Sequence, residues 1–283
     1  MKILFKKLRN HRGIVQFFAT LLSNLNVHNF FKGTIYSGDA KSICVPGLNC
    51  YSCPAATGAC PIGAFQAVVG SSKFNFAYYV TGLILLFGVL VGRLTCGFLC
   101  PFGWFQDLLH KIPTKKFSTK KFVFLKYIKY FMLFFVVFFL GLLFTDVGGN
   151  SVPYFCKYIC PVGILEGGIP LSTANSAIAN AIGTLFAWKF VILIIIIILA
   201  VFFYRPFCKY ICPLGAFYAL LNRVSFYKYY IDKDKCINCG RCAKKCKMDV
   251  DICKNQSALE CIRCGECINE CPTSAISTSL SKK

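Results

Sequence analysis

The stretches CINCGRCAKKC, residues 236–246, and CIRCGECINECP, residues 261–272, decide how the C-terminal end of this 283-residue chain folds. Both place cysteines at the same intervals: Cys236, Cys239, Cys242 and Cys246 in the first, then Cys261, Cys264, Cys267 and Cys271 in the second. Three thiolates so closely spaced sit on one tight loop and can hold three corners of a single metal body. The fourth corner needs a more distant residue, and two copies of the run can supply one to each other.

The doubled interval is the spacing of bacterial two-cluster ferredoxins, in which the fourth cysteine of each run serves the other run's 4Fe–4S cluster. It predicts one cluster on Cys236, Cys239, Cys242 and Cys271, and a second on Cys261, Cys264, Cys267 and Cys246. A pair of four-cysteine zinc sites is the alternative, but zinc does not call for these intervals twice over. The expected unit is a small α+β two-cluster ferredoxin-like domain over residues 226–283. Two positions depart from the pattern. Lys247 stands where the second run has Pro272, and Cys253 is an extra thiol between the runs, read as a buried small residue.

Upstream the composition is different. The chain as a whole is 56% hydrophobic, 16% aromatic and only 15% charged, against about a quarter charged in soluble proteins. Four stretches lack charge for about the 20 residues that a bilayer requires: Gly13–Phe31, Phe74–Gly92, Tyr130–Thr145 and Phe190–Tyr204. The last two are short, with Lys126, Lys129, Lys189 and Arg205 placed to snorkel. The first carries Gln16, Asn24 and Asn29, which need partners inside a bundle. Residues 1–225 therefore read as an all-α polytopic membrane domain of about four transmembrane helices.

A net charge of +21 raises the question of nucleic acid. The basic residues instead flank the apolar runs, as the positive-inside rule expects. With the N-terminus inside, segments 1–12, 93–129 and 205–283 hold 5, 8 and 14 Lys+Arg, 27 of the 32. The expectation is a cytoplasmic (inner) membrane protein in contact with lipid, both termini cytoplasmic, and no nucleic-acid partner. A signal peptide beginning at Lys2, Lys6, Lys7 and Arg9 would need a small-x-small cleavage site, and none follows the apolar stretch.

Two pseudo-repeats run through this part. Cys60-Pro61 resembles Cys160-Pro161, and beyond the next apolar stretch Cys96-x3-Cys100-Pro101 resembles Cys208-x3-Cys212-Pro213. Residues i and i+4 share a helix face, roughly 6 Å apart at Cβ, and proline ends that helix or starts the next. Cys96, Cys100, Cys208 and Cys212 are thus expected to form one cluster site at the inner membrane face, the alternative being buried core cysteines. Cys50, Cys53, Cys60, Cys156 and Cys160, with Cys44 upstream, form an outer set. The first five are one thiol more than a cubane needs, and outside the cytoplasm the six cysteines could instead form disulfides or a dithiol relay. One or two further iron–sulfur clusters are therefore expected in the membrane domain. A span of about 20 residues separates surfaces by roughly 30 Å, a gap that dipping helix ends or a further cofactor would have to shorten.

The stretch GRLTCGFLCPFGWFQD at residues 92–107, its partner at Cys208–Gly215 and the C-terminal runs resemble the NapH-type membrane polyferredoxins, which accompany periplasmic nitrate reductase. The membrane part of the nitrous-oxide reductase regulator is related. The resemblance extends from about Cys44 onward. It implies electron transfer between a quinol or cytoplasmic donor and an extracytoplasmic reductase or flavoprotein. An electron-transfer subunit without catalytic residues of its own is expected, rather than a stand-alone enzyme. An electron-supplying assembly or regulatory factor and a transmembrane thiol–disulfide relay are the competing readings. The chain has no Cys-x2-Cys-His haem motif, so the redox work falls to iron and sulfur.

Overall fold

The computed structural model describes residues 11–69, 77–144 and 151–279. The N-terminal lysines, the start of the second apolar stretch and Thr145 lie outside the described residues. Helices α1 (Arg12–Ser23), α2 (Pro61–Val69), α3 (Ala77–Leu90), α4 (Leu94–Phe98) and α5 (Pro101–Leu109) come first. Next come α6 (Phe124–Leu143) and α7 (Thr184–Phe202), which are long and apolar enough to cross a membrane. They are followed by α8 (Pro206–Tyr210) and α9 (Pro213–Leu221).

The four-span expectation is met only in part, for visible reasons. α1 stops after 12 residues. There Ser23 and Asn24 turn their side chains back onto the carbonyls of Ala19 (2.8 Å) and Thr20 (3.0 Å), and Asn24 also reaches the Asn49 side chain at 3.1 Å. Such local polar bonds compete with helix continuation, so the first apolar stretch is a short helix and a turn packed on residues 49–57. α3 has 14 described residues, about 21 Å of helix.

Proline begins α2, α5, α8 and α9, where its missing N–H costs nothing. α5 packs against α1 and α7, while α9 packs against α3 and α6. The helices that start at a Cys-Pro pair are thereby pushed, cysteine first, into the middle of the helical layer.

In the C-terminal region β1 (Tyr229–Ile231) pairs antiparallel with β2 (Ile276–Thr278), Tyr229 opposite Thr278. Between them α10 (Arg241–Lys245) packs on α11 (Glu266–Glu270). The duplication is written in the backbone. Asn238 and Gly240 adopt positive φ in the first run, and Arg263 and Gly265 do so at the equivalent places of the second. Asp249 and Ser274, each three residues after a fourth cysteine, do the same. A non-glycine residue held there costs roughly 1–2 kcal/mol, which a loop required to wrap one compact body can justify.

Buried polar contacts fasten this region to the helices. Arg263 donates to the Val91 carbonyl at 2.9 Å, and Asn222 donates to the carbonyls of Ala258 and Cys261 at 2.9 and 3.1 Å. Glu260 pairs with Arg93 (2.7 Å) and Lys129 (2.5 Å), both fully buried. Burial alone would raise the Glu260 carboxyl, but Arg93 and then Lys129 hold it down, from 4.5 to about 2. A depressed carboxylate contributes stability above its unfolded pKa and loses it as pH falls through the folded value. This contribution, of order 3 kcal/mol, is therefore complete above about pH 4.5 and gone by about pH 2. At neutral pH, Glu260→Gln should speed amide hydrogen exchange across residues 229–278 and leave α6 and α7 protected. Equal exchange in both proteins would show that the pair does not hold the docking.

Candidate metal centres

In the C-terminal region Cys236, Cys239, Cys242 and Cys271 line one cavity. Cys246, Cys261, Cys264 and Cys267 line a second, which Cys242 also borders. Backbone N–H groups four residues on point at both fourth cysteines, Val250 at Cys246 Sγ (3.4 Å) and Ala275 at Cys271 Sγ (3.3 Å). Lys247, in the proline's place, bonds Glu266 at 3.3 Å and lies 5.6 Å from the Tyr204 ring, tying the first run to the second and to the helices. Cys253 is not buried. It is exposed, its sulfur lies 3.5 Å from Cys242 Sγ, and it lines the same cavity.

Among the described residues no three His, Cys, Asp or Glu side chains come together tightly enough for one metal ion.

Cys96, Cys100, Cys208 and Cys212 are all buried in one core. The pairs do not share one continuous helix, as expected from their spacing. Cys96 and Cys208 lie in α4 and α8, whereas Cys100 (ψ 116°) and Cys212 (ψ 115°) are extended and cap α5 and α9. A residue before proline is driven out of the helical region, so each helix breaks between its two cysteines. The sulfurs then accept from Gly103 N (3.4 Å) and Gly215 N (3.3 Å), with the positive ends of α5 and α9 turned toward them.

A pseudo-twofold exchange frames this site. Arg93 donates to the Cys208 carbonyl (3.4 Å), and Arg205 donates to the Cys96 carbonyl (2.5 Å). Both arginines are fully buried. Arg205 and Arg12 share Asp107, and Arg93 and Lys129 share Glu260. Burial would raise Asp107, but Arg205 and Arg12 keep it well below the usual carboxylate range. Arg12 also meets Glu266 at 3.8 Å, so the cations set beside the four sulfurs are the two buried guanidinium groups of Arg93 and Arg205. Burial pushes the thiols of Cys100, Cys208 and Cys212 up, so unmetallated they would stay neutral and bring no negative charge to those groups. A four-thiolate iron–sulfur cluster is anionic, and buried charge demands a partner. The donor set fits one.

Cys50, Cys60, Cys156 and Cys160 line a cavity of about 310 Å³ together with Leu48 and Lys189. Cys53 and Cys44 do not. Cys53 packs with Ala55 and Ala56, its sulfur 3.6 Å from Asn24 Oδ1, and Cys44 is buried in a bridge to Ala59. Of five candidate thiols, four converge.

A further set of residues escaped the sequence reading. Gln106 donates to Cys208 Sγ (3.0 Å) while accepting from Phe207 N (3.2 Å). Gln66 does the same to Cys156 Sγ (3.2 Å) and Phe155 N (3.0 Å). Each glutamine lies six residues after a Cys-Pro cysteine. The same offset from Cys160 and Cys212 gives Glu166, which accepts from Cys50 N at 2.7 Å, and Tyr218, which donates to the Pro46 carbonyl at 2.9 Å. Burial raises Glu166 to about 8, against the pull of the Cys50 N–H. Superimposing the four Cys-Pro-x-Gly copies would have exposed this position.

The sets are close neighbours. Leu48 N donates to Cys100 Sγ (3.4 Å) while Leu48 and Cys50 line the outer cavity. Two residues of chain reach about 7 Å at most, so the roughly 30 Å separation expected from a full span does not apply. On the other side, a Cβ built on Gly97 would lie 2.6 Å from the Ile262 carbonyl. Glycine beside Cys96 thus lets the loop of Cys261 and Cys264 settle directly on the inner set.

Residues 58–78, 76–120, 128–169 and 185–228, more than half of the chain, match a family described as a 4Fe-4S binding domain. This chain belongs to that 4Fe-4S binding family. Residues 229–250 and 257–277 match a second family of the same description, so the chain carries two C-terminal 4Fe–4S binding repeats and further ones upstream. An uncharacterized protein of Methanocaldococcus jannaschii is 32% identical over 173 residues, 60% of this chain and 65% of that one. The methylamine utilization ferredoxin-type protein MauN of Paracoccus denitrificans is 29% identical over 166 residues, 58% and 52%. YccM of Escherichia coli, named as a candidate electron transport protein, is 24% identical over 180 residues, 60% and 45%. The matches thus cover less than two thirds of each of these relatives. No solved structure matches the chain. This is an iron–sulfur electron-transfer family.

Proposed function

We propose that this 4Fe-4S binding protein is a membrane-embedded electron conduit with four cluster sites in a row. In order they are Cys236, Cys239, Cys242 and Cys271, then Cys246, Cys261, Cys264 and Cys267, then Cys96, Cys100, Cys208 and Cys212, and finally Cys50, Cys60, Cys156 and Cys160. The observation that carries the reading is the continuity of the core: Ile262 against Gly97 joins the second set to the third, and Leu48 joins the third to the fourth. A 4Fe–4S group, when bound at each site, would supply one-electron uptake and release. The protein's part is to hold the sets in contact, keep water out, and set their charge with Arg93, Arg205, Gln66 and Gln106. A cytoplasmic or quinol donor at one end and an extracytoplasmic acceptor at the other would make it a NapH-type polyferredoxin. The names of YccM, an electron transport protein, and MauN, a ferredoxin-type protein, support an electron-transfer role.

Membrane insertion is supported by α6 and α7, which leave Phe131 and Phe135 on the one and Val191, Ile195 and Ile198 on the other exposed, large apolar side chains of the kind that mark a lipid or protein contact. On this reading the basic flanks put both termini in the cytoplasm. Reporter fusions after Lys116 should read inside and those after Ser151 outside; the reverse would overturn the topology. The decisive measurement for the conduit is iron and sulfide in the anaerobically purified full chain. The expected content is about sixteen of each, four cubanes' worth. About eight would leave only a ferredoxin on an anchor, and outer-set disulfides in place of iron would favour the thiol relay.

A further inference from the structure

We infer that Cys253 is an alternate ligand for the iron corner held by Cys242, so that the first C-terminal site has five thiols for four positions. The inference rests on the ligand assignment proposed above. The two sulfurs are 3.5 Å apart, about one sulfur diameter, and both line the cavity shared with Cys236, Cys239 and Cys271. An atom at Cys253 Sγ can therefore approach the same iron as one at Cys242 Sγ, with only side-chain rotation. The tether is short and defined. Cys253 N bonds the Asp251 side chain at 3.1 Å and Asn255 N bonds the Asp251 carbonyl at 3.0 Å, so a tight turn presents the thiol.

The two cysteines differ in access. Cys242 is buried and faces both C-terminal cavities, whereas Cys253 is exposed. One corner thus has an inner and an outer ligand. The exchange is thiolate for thiolate. The iron–sulfur bond to Cys242 breaks, one to Cys253 forms, and the Cys253 proton passes to the released Cys242 sulfur; no electron is gained or lost. An exposed thiol at that corner can meet incoming iron before the buried one does, and can hold the corner when the buried bond is lost.

The test uses the full chain purified anaerobically as wild type, C242A, C253A, C242A/C253A and C239A, the last because, among the described residues, Cys253 bonds Cys242 and not Cys239. Iron per chain and EPR are measured, together with iodoacetamide labelling of residue 253 read by peptide mass spectrometry. In the wild type Cys253 should be labelled and the cluster intact. C242A should keep the cluster and protect Cys253 from label, whereas C239A and the double variant should each lose about four irons. The other sites' iron, unchanged in every variant, reports that the chain has folded. If C242A loses as much iron as the double variant and Cys253 stays labelled, the inference is wrong while the ligand assignment stands. If C239A keeps its iron, the ligand assignment itself fails, and this inference with it.

Discussion

Cys60→Ala should strip the chain of one whole cluster, about four irons, whereas Cys53→Ala and Cys44→Ala should cost none. The contrast is sharp because all three cysteines are almost fully buried, at 7, 2 and 4% exposed, so burial cannot separate them. Position does. Cys60 faces Cys50, Cys156 and Cys160 across the outer cavity, and a cubane held by three thiolates has lost a quarter of its anchorage. Cys53 instead sits against two alanines with its sulfur on Asn24, and Cys44 lies behind the bridge to Ala59. Alanine there removes one buried sulfur, a packing loss of about 1 kcal/mol. Iron analysis and the EPR signal of the outer site read the difference. Iron lost on replacing Cys53 and retained on replacing Cys60 would reverse the assignment.

That case also shows where the sequence stops being legible. The two C-terminal runs are readable because three ligands of each set are local, and their spacing alone encodes a loop whose left-handed residues recur at Asn238 and Arg263. Among the outer cysteines, sequence pattern misleads. Cys53, not Cys50, precedes a proline as Cys60, Cys100, Cys160 and Cys212 do, yet Cys50 turns to the cavity. The reason lies far off, in Glu166 receiving the Cys50 N–H and Asn24 receiving the Cys53 sulfur. Charge was hidden in the same way. A chain with +21 formal charge reads as basic flanks around apolar runs, and nothing local shows that Arg93 meets Glu260, 167 residues away. The first apolar stretch failed as a span because Asn24 had a partner, Asn49, in a loop that no periodicity reveals.

Arg205→Met should lower the reduction potential of the inner site by on the order of 100 mV. Arg205 is fully buried, donates to the Cys96 carbonyl and pairs with Asp107. Its loss takes one of the two buried guanidinium charges away from Cys96, Cys100, Cys208 and Cys212. A unit charge at roughly 6 Å with an effective dielectric of about 20 is worth about 3 kcal/mol, about 120 mV for a single electron. The sign follows from reduction adding negative charge to a site that has just lost a cation. Arg93→Met, at the pseudo-equivalent position, should act in the same direction. It should also loosen the C-terminal region, since Glu260 would keep only Lys129. Arg205→Lys should retain much of the potential, because the charge survives while the fork that reaches Asp107 and Cys96 together is lost. Arg223→Met, at an exposed position, controls for simple removal of a cation from an already basic chain and should leave the potential in place. Redox titration followed by EPR separates the inner signal from the others. If Arg205→Met and Arg223→Met give the same inner potential, the buried arginines are scaffolding for α4 and α8 and the charge balance drawn between them and the sulfurs is wrong. If only the former shifts it, the electrostatics of the inner site belong to two residues that each half of the repeat lends to the other.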